Sequence, residues 1–289
     1  MKKITLIPYL LVMPCVLYLL LMFIIPFAMS LWYSFTDFSL VRGFGEINFI
    51  GIENYLKMFR DPVTLNAIFL TILFTASVIC LQLIYGLASA LILNTVKRGL
   101  RLVTTIYMLP MVIAPSIIAL IMRFQWSYNH GLINYFLSFL GVPPLSWLGD
   151  ENLALIAVIL TEVWHQSPFV GLTILAGLQA LPVAPYEAAN IDGASRLQCF
   201  RYITVPLLKP VILVALLFRT IFTLRLFDII FILTGGGPGR ATYVLSMDIY
   251  YEFLSHYEIG YASAISWILA ILTMMLSFVY LKTIYKEWG

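Results

Sequence analysis

Four charged residues stand inside or at the edges of long apolar runs: Glu162, Arg219, Arg225 and Asp228. On insertion scales a mid-membrane Asp, Lys or Arg costs about 2.5–3.5 kcal/mol, so such residues pair with one another or line a wet cavity. Arg225 and Asp228 are three apart, which puts them on one face of a helix. They are read either as a structural ion pair or as supports of a polar path. Arg219, Thr223 and Leu226 form another stripe at helical spacing. Glu162 and Trp164 lie close together on an earlier run. His130, His165 and His256 are scattered, without metal-ligand spacing, and Asp37 and Asp61 are far apart. A membrane-embedded enzyme would need a Ser/His or Ser/Lys set, paired acids or a metal cluster.

The elements that position them are set by composition. The chain has 289 residues, 62% hydrophobic and 11% charged, with net charge +3. Soluble domains carry about 25% charged residues, and a soluble surface this apolar would be adhesive. Nothing in the balance points to nucleic acid. Cys15, Cys80 and Cys199 are too dispersed for a disulfide framework or a zinc site. Spanning helices need roughly 20 mostly apolar residues, and six segments qualify: 6–33, 66–95, 102–123, 153–178, 208–233 and 260–282. None alternates as a barrel strand would. The expected fold is an all-α bundle of six transmembrane helices. The first run is too long for a signal peptide and is read as a retained span.

Placing both termini in the cytoplasm leaves ten Lys/Arg inside: Lys2, Lys3, Lys97, Arg98, Arg101, Arg196, Arg201, Lys209, Lys282 and Lys286. Five fall outside: Arg42, Lys57, Arg60, Arg123 and Arg240. That asymmetry fixes the orientation. Nine acids, among them Asp37, Glu46, Asp150, Asp248 and Glu258, make the outer face acidic.

Residues 179–210 then form a cytoplasmic connection between spans four and five, longer than most structureless loops. It reads as two short helices. Pro182 and Pro185 precede the first, with Glu187 in its first turn, where the dipole favours an anion. Gly193 breaks it, and Ser195 caps the second. Pro206 and Pro210 set the angle of re-entry. Ala188, Ala189 and Ala194 keep the surface low. The segment either docks in a groove of another protein or lies on the headgroups as a solvated loop.

Glu187-Ala188-Ala189, then Gly193 after three intervening residues, and later Ile203 and Pro206 resemble the signature loop of ABC importer permeases. The fuller pattern, EAANIDGAS followed by F-x-x-I-x-x-P-x-x-x-P, resembles the carbohydrate branch. EVWHQSPFVGLTILAGLQALP at 162–182, LLFRTIFTLRLFD at 216–228 and FDIIFILTGGGPGRAT at 227–242 are similar to the maltose, trehalose and glycerol-phosphate type of first permease subunit. The resemblance covers roughly 66–285, the permease core, behind a less diagnostic first helix and loop at 1–65. His165-Gln166-Ser167 departs from the pattern.

The resemblance implies that Glu187, Ala188, Ala189, Asp192, Gly193 and Ala194 seat in a cytoplasmic ATPase. It implies that Arg219, Thr223, Leu226, Glu162 and Trp164 are candidates for the substrate path, a packing role for Trp164 staying open. It also implies partners: a homologous second permease, an ATPase dimer that holds ATP and magnesium, and an extracytoplasmic sugar-binding protein. The chain itself would hold no cofactor and would sit in the cell membrane of a prokaryote. The solute would be a disaccharide or short α-glucoside such as trehalose or maltose, with glycerol phosphate the alternative that Arg219 leaves open. An ion-driven transporter would show inverted repeats and midplane acids, and no repeat relates the two halves.

Overall fold

The computed structural model describes residues 7–42 and 47–288. Lys2, Lys3 and Glu46, which enter the charge count, lie outside them. The protein is all-α, and among the described residues the one extended pairing is an isolated bridge between Thr36 and Phe49. In chain order the helices are α1 (Leu10–Ser34), α2 (Glu53–Met58), α3 (Pro62–Asn94), α4 (Leu100–Val112), α5 (Pro115–Gln125) and α6 (Leu132–Ser138). They continue as α7 (Glu151–Gln179), α8 (Ala184–Ile191), α9 (Arg196–Leu224), α10 (Asp228–Leu233), α11 (Leu245–Leu254) and α12 (Ile259–Trp288). Helices α1, α3, α7, α9 and α12 are long and apolar enough to cross a membrane, and α4 with α5 makes a sixth crossing if the bent pair is taken as one span.

Two predicted spans are not single helices. The third is bent by 92° between α4 and α5. The cause is Pro115, whose ring drives the preceding residue out of the helical region. Ile113 and Ala114 are both extended, with ψ of 139° and 138°. The fifth, expected over 208–233, stops at Leu224 and restarts at Asp228. An acid at the start of α10 is well placed against the helix dipole.

The connection between spans four and five differs from expectation in one respect. Helix α8 forms and carries Glu187 in its first turn. Gly193 follows in the left-handed region, φ +76°. Ser195 caps the next helix through a full capping box with Gln198. That helix is not a separate short one. It opens α9, and the chain runs helically from Arg196 to Leu224. A wider π turn at Phe200–Thr204 absorbs Pro206, which has no N–H to bond back along the helix.

The chain divides into two compact units. One comprises Met1–Leu65 with Asp248–Ala270. In it Asn54 Nδ2 donates to the carbonyls of Ser34 and Thr36 at 3.0 and 2.8 Å, holding the end of α1. Thr64 Oγ1 donates to Asp248 Oδ2 at 2.8 Å. The other unit comprises Asn66–Met247 with Ile271–Gly289. Its core joins Ala90 and Leu93 of α3, Val170, Ile174 and Leu175 of α7, and Leu208 of α9. Without a hydrophobic drive between helices in lipid, close packing needs small residues. Gly86 supplies one: a Cβ there would come within 2.8 Å of Val170 Cγ1.

Candidate functional site

Polar groups converge within the larger unit from α3, α7, α9 and the break between α4 and α5. Arg219 of α9 is 4% exposed and Glu162 of α7 is 2% exposed. The Arg219 Nη2 group donates to Glu162 Oε1, forming a buried ion pair. Its Nε donates to Gln82 Oε1 of α3 at 3.0 Å, and Nη1 to Gln166 Oε1 at 3.4 Å. Nη2 also reaches Thr223 Oγ1 at 3.3 Å. Gln82 in turn donates from Nε2 to the Glu162 carbonyl at 3.2 Å. A buried pair of this kind persists only when its remaining donors and acceptors are met.

The network continues to the break. His165 Nε2 lies 3.2 Å from the Ile113 carbonyl. A carbonyl oxygen only accepts, so Nε2 carries the hydrogen and Nδ1 is left to accept. Gln166 Nε2 donates to Nδ1 at 3.3 Å. The carbonyl that the bent span releases at Ile113 is therefore bonded by a side chain, as a non-aqueous interior requires. One oxygen stands apart. Glu162 Oε2 is buried with no hydrogen-bond partner among the described residues. His165 Nδ1 is 3.7 Å from it, beyond hydrogen-bond reach.

These groups border a cavity of about 520 Å³ lined by Pro115, Glu162, His165, Gln166, Phe169, Arg219, Phe222, Arg225, Leu226, Phe227 and Asp228. Its size falls in the range of about 300–1,000 Å³ of small-molecule sites. Apolar and aromatic walls with a few fixed polar groups suit a solute with both apolar faces and hydroxyls.

Three of the five path candidates, Glu162, Arg219 and Leu226, line this cavity. Two do not. Thr223 is 2% exposed and accepts from Arg219 rather than facing the opening. Trp164 is 43% exposed on the outer side of α7, because two residues along a helix turn a side chain to the other face. The expected ion pair between Arg225 and Asp228 does not form among the described residues. Three-residue spacing aligns two side chains only in a continuous helix, and the helix is broken between them. Both are exposed and both line the cavity. Gln82, His165, Gln166 and Phe169 were missed. For the last three the signal was present: positions 162, 165, 166 and 169 repeat at i, i+3, i+4, i+7, a polar and aromatic stripe on an apolar helix.

The second candidate surface is the 184–203 connection. Glu187, Ala188, Asp192 and Gly193 are exposed, and Ala189 and Ala194 are half-buried. Ile191 is 87% exposed. An isolated exposed apolar residue is ordinary, but here Leu197 and Tyr202 are also largely exposed. A Cβ at Gly193 would meet nothing within 4 Å, so that side is open. The GGGPGRAT stretch folds on itself: Thr234 and Thr242 hydroxyls lie 2.7 Å apart, and Thr242 Oγ1 donates to the Gly237 carbonyl at 2.9 Å.

Residues 82–285 match the family described as binding-protein-dependent transport system inner membrane component. The chain is 41% identical, over 95% of its length and 92% of the relative's, to the trehalose/maltose transport system permease protein of Thermococcus litoralis. It is 39% identical to the sulfoquinovosyl glycerol transport system permease protein of Agrobacterium fabrum, covering 95% of this chain and 89% of that one. It is 33% identical to the sn-glycerol-3-phosphate transport system permease protein of Yersinia pestis, covering 97% and 94%. In fold it is similar to a chain of a bacterial alginate ABC transporter crystallised with an alginate pentasaccharide-bound periplasmic protein, TM-score 0.81, 23% identity, covering 95% and 92% of the two chains.

Proposed function

The chain belongs to the family of binding-protein-dependent transport system inner membrane components, and from that premise we propose how this ABC permease subunit works. It does no chemistry of its own. It forms half of a translocation path for a carbohydrate, the other half coming from a homologous second permease. A binding protein delivers the solute at the outer face. An ATPase dimer on the cytoplasmic side, holding ATP and magnesium, seats residues 187–203. Both termini are cytoplasmic in this reading.

The observation that carries the reading is the continuity of α9. One helix of 29 residues, about 44 Å long at 1.5 Å per residue, starts at the capped elbow and ends at the cavity. Its first turn follows Gly193, and Arg219 near its other end holds the polar network. A displacement of the elbow is therefore carried toward the cavity along one continuous helix, through the π turn at Phe200–Thr204. The breaks at 113–114 and 225–227 make α5 and α10 short separate pieces that pack on each other. ATP binding then biases two packings of the same helices.

The solute is read as a disaccharide or short α-glucoside such as trehalose or maltose. Similarity to the trehalose/maltose relative supports that reading. The sn-glycerol-3-phosphate relative and the exposed Arg225 at the cavity favour an anionic small solute as the second reading. Leu226→Trp tests the path. Leu226 is half-buried at the break and lines the cavity, so an indole there obstructs it. Uptake into proteoliposomes holding the complete importer is expected to fall to background while the complex still assembles. Normal uptake by this variant removes the cavity from the path.

A further inference from the structure

Arg123 and Asp150 bracket 26 residues that carry no Asp, Glu, Lys or Arg. The stretch holds the end of α5, all of α6 and the approach to α7. A loop of that composition facing water would be adhesive. Its fold is also inverted relative to a soluble one. Asn134 is the buried residue of α6, and its amide is fully engaged inside the protein. Nδ2 donates to the Tyr128 and Leu145 carbonyls at 3.1 and 2.9 Å. Oδ1 accepts from the Leu145 N–H at 3.1 Å and from Trp147 Nε1 at 2.9 Å. Leu132, Tyr135, Phe136 and Phe139, at i, i+3, i+4 and i+7, are each more than half exposed, and Leu140 after them is 78% exposed. A soluble amphipathic helix buries such an apolar stripe and exposes the amide.

The depth of the segment says what covers this face. Trp126, at the end of α5, donates from Nε1 to Thr161 Oγ1 of α7 at 2.9 Å, and its ring lies 4.9 Å from that of Trp147. Helix α7 is long and apolar enough to cross a membrane. Asp150 caps it by accepting from the Asn152 and Leu153 N–H groups, which marks its water end. Thr161 lies about 15 Å further along the helix, at 1.5 Å per residue. Helix α6 is tied to both ends of that interval, to Tyr128 beside Trp126 and to Leu145 and Trp147 beside Asp150. It therefore lies at the boundary of headgroups and acyl chains, where amphipathic aromatic rings are favoured. The Lys/Arg distribution makes this the outer leaflet. A water-soluble partner would leave the stripe bare whenever it departed, whereas lipid is always present.

We infer that α6 is an interfacial anchor, its stripe of Leu132, Tyr135, Phe136 and Phe139 seated in the outer leaflet of the bilayer and its Asn134 face fastened to the protein. The surface is uncharged, so it takes the acyl–headgroup boundary of any phospholipid and does not select anionic headgroups. Through Trp126 it ties the end of α5, whose first residue Pro115 lines the cavity, to a fixed level in the membrane. The inference is independent of the solute and of the path assigned to it.

The test uses the full chain in its assembled importer, reconstituted into phosphatidylcholine vesicles with and without phosphatidylglycerol. Cys15, Cys80 and Cys199 are replaced by alanine, and a nitroxide is attached at Phe139→Cys. Its collision rates with oxygen, which partitions into lipid, and with a water-soluble nickel chelate are read by electron paramagnetic resonance. Leu21→Cys in the exposed face of α1 and Arg60→Cys in the exposed loop after α2 serve as the lipid and water standards. At position 139 oxygen is expected to relax the label more than the chelate does, the reverse of the order at position 60. The order should be the same in both lipid compositions and unchanged by added binding protein. A label relaxed mainly by the chelate would place the stripe in water and overturn the inference. Exclusion of both reagents would place it in a protein interface and overturn it too, as would a lipid signal that appears only with phosphatidylglycerol. Phe136→Cys carries the same test should Phe139→Cys fail to assemble.

Discussion

Arg219→Leu is expected to lose most of the stably assembled protein. The substitution leaves Glu162, 2% exposed, as a buried carboxylate with neither oxygen paired to a cation. Removing one partner of a buried pair costs about 3–5 kcal/mol, a large share of the roughly 5–15 kcal/mol that holds a domain folded. Gln82 and Gln166 lose an Arg219 donor at the same time, so helices α3, α7 and α9 lose a common tie. Glu162→Leu is expected to do comparable damage by leaving the guanidinium uncompensated. The double variant Glu162→Leu/Arg219→Leu should recover much of the loss, since replacing both members of a buried pair with apolar groups is often near neutral. Thermal unfolding of the purified complex, read as a double-mutant cycle, checks this. Additive losses in the double variant would show that the two residues do not act as a pair.

Gly193→Arg should separate ATP hydrolysis from transport. Gly193 has a φ of +76° and nothing within 4 Å of the place a Cβ would occupy. Within this chain a side chain there meets no obstacle, so a steric effect comes from a docked partner. The left-handed backbone itself penalises a non-glycine residue, and Gly193→Asn controls for that, because asparagine tolerates this region. The expected result in proteoliposomes is ATPase activity that persists while uptake falls about tenfold or more. Glu187→Lys reverses a charge at the exposed first turn of α8 and should act the same way. Wild-type uptake in Gly193→Arg and Glu187→Lys would remove this surface from the coupling path.

Much of the architecture was legible in the residues. Length and apolarity located the spans, because a bilayer demands long runs with satisfied backbones. The elbow was readable down to its punctuation: Glu187 in the first turn, Gly193 at the left-handed stop, Ser195 as the cap. Each is a local rule acting over a few residues. The bend at 113–114 was readable as well, since Ala114 precedes Pro115, yet the apolar run across it hid the break. The stop at Leu224 had no such marker. No glycine or proline lies in 225–227, so the helix ends there for tertiary reasons, and the expected Arg225–Asp228 pair went with it.

The polar site was only half visible. Glu162 and Arg219 were conspicuous as charges in oil, but their pairing across 57 residues is set by packing. Gln82, a neutral amide in α3, raised no signal as a charge would have. It is nevertheless the residue that bonds both the Arg219 Nε and the Glu162 carbonyl. Trp164 and Thr223 were candidates through the family resemblance; here Trp164 is exposed on α7 away from the cavity lining, and the Thr223 hydroxyl lies under the Arg219 guanidinium.

The role of the elbow is tested most directly by contact. A photoreactive benzophenone side chain placed at Ile191, 87% exposed at the end of α8, should be irradiated in the assembled importer in native membranes. A covalent adduct with the ATPase subunit is expected, its yield changing when ATP is bound. Adducts with lipid alone, or reaction of position 191 with a membrane-impermeant reagent applied from the outer face, would contradict it.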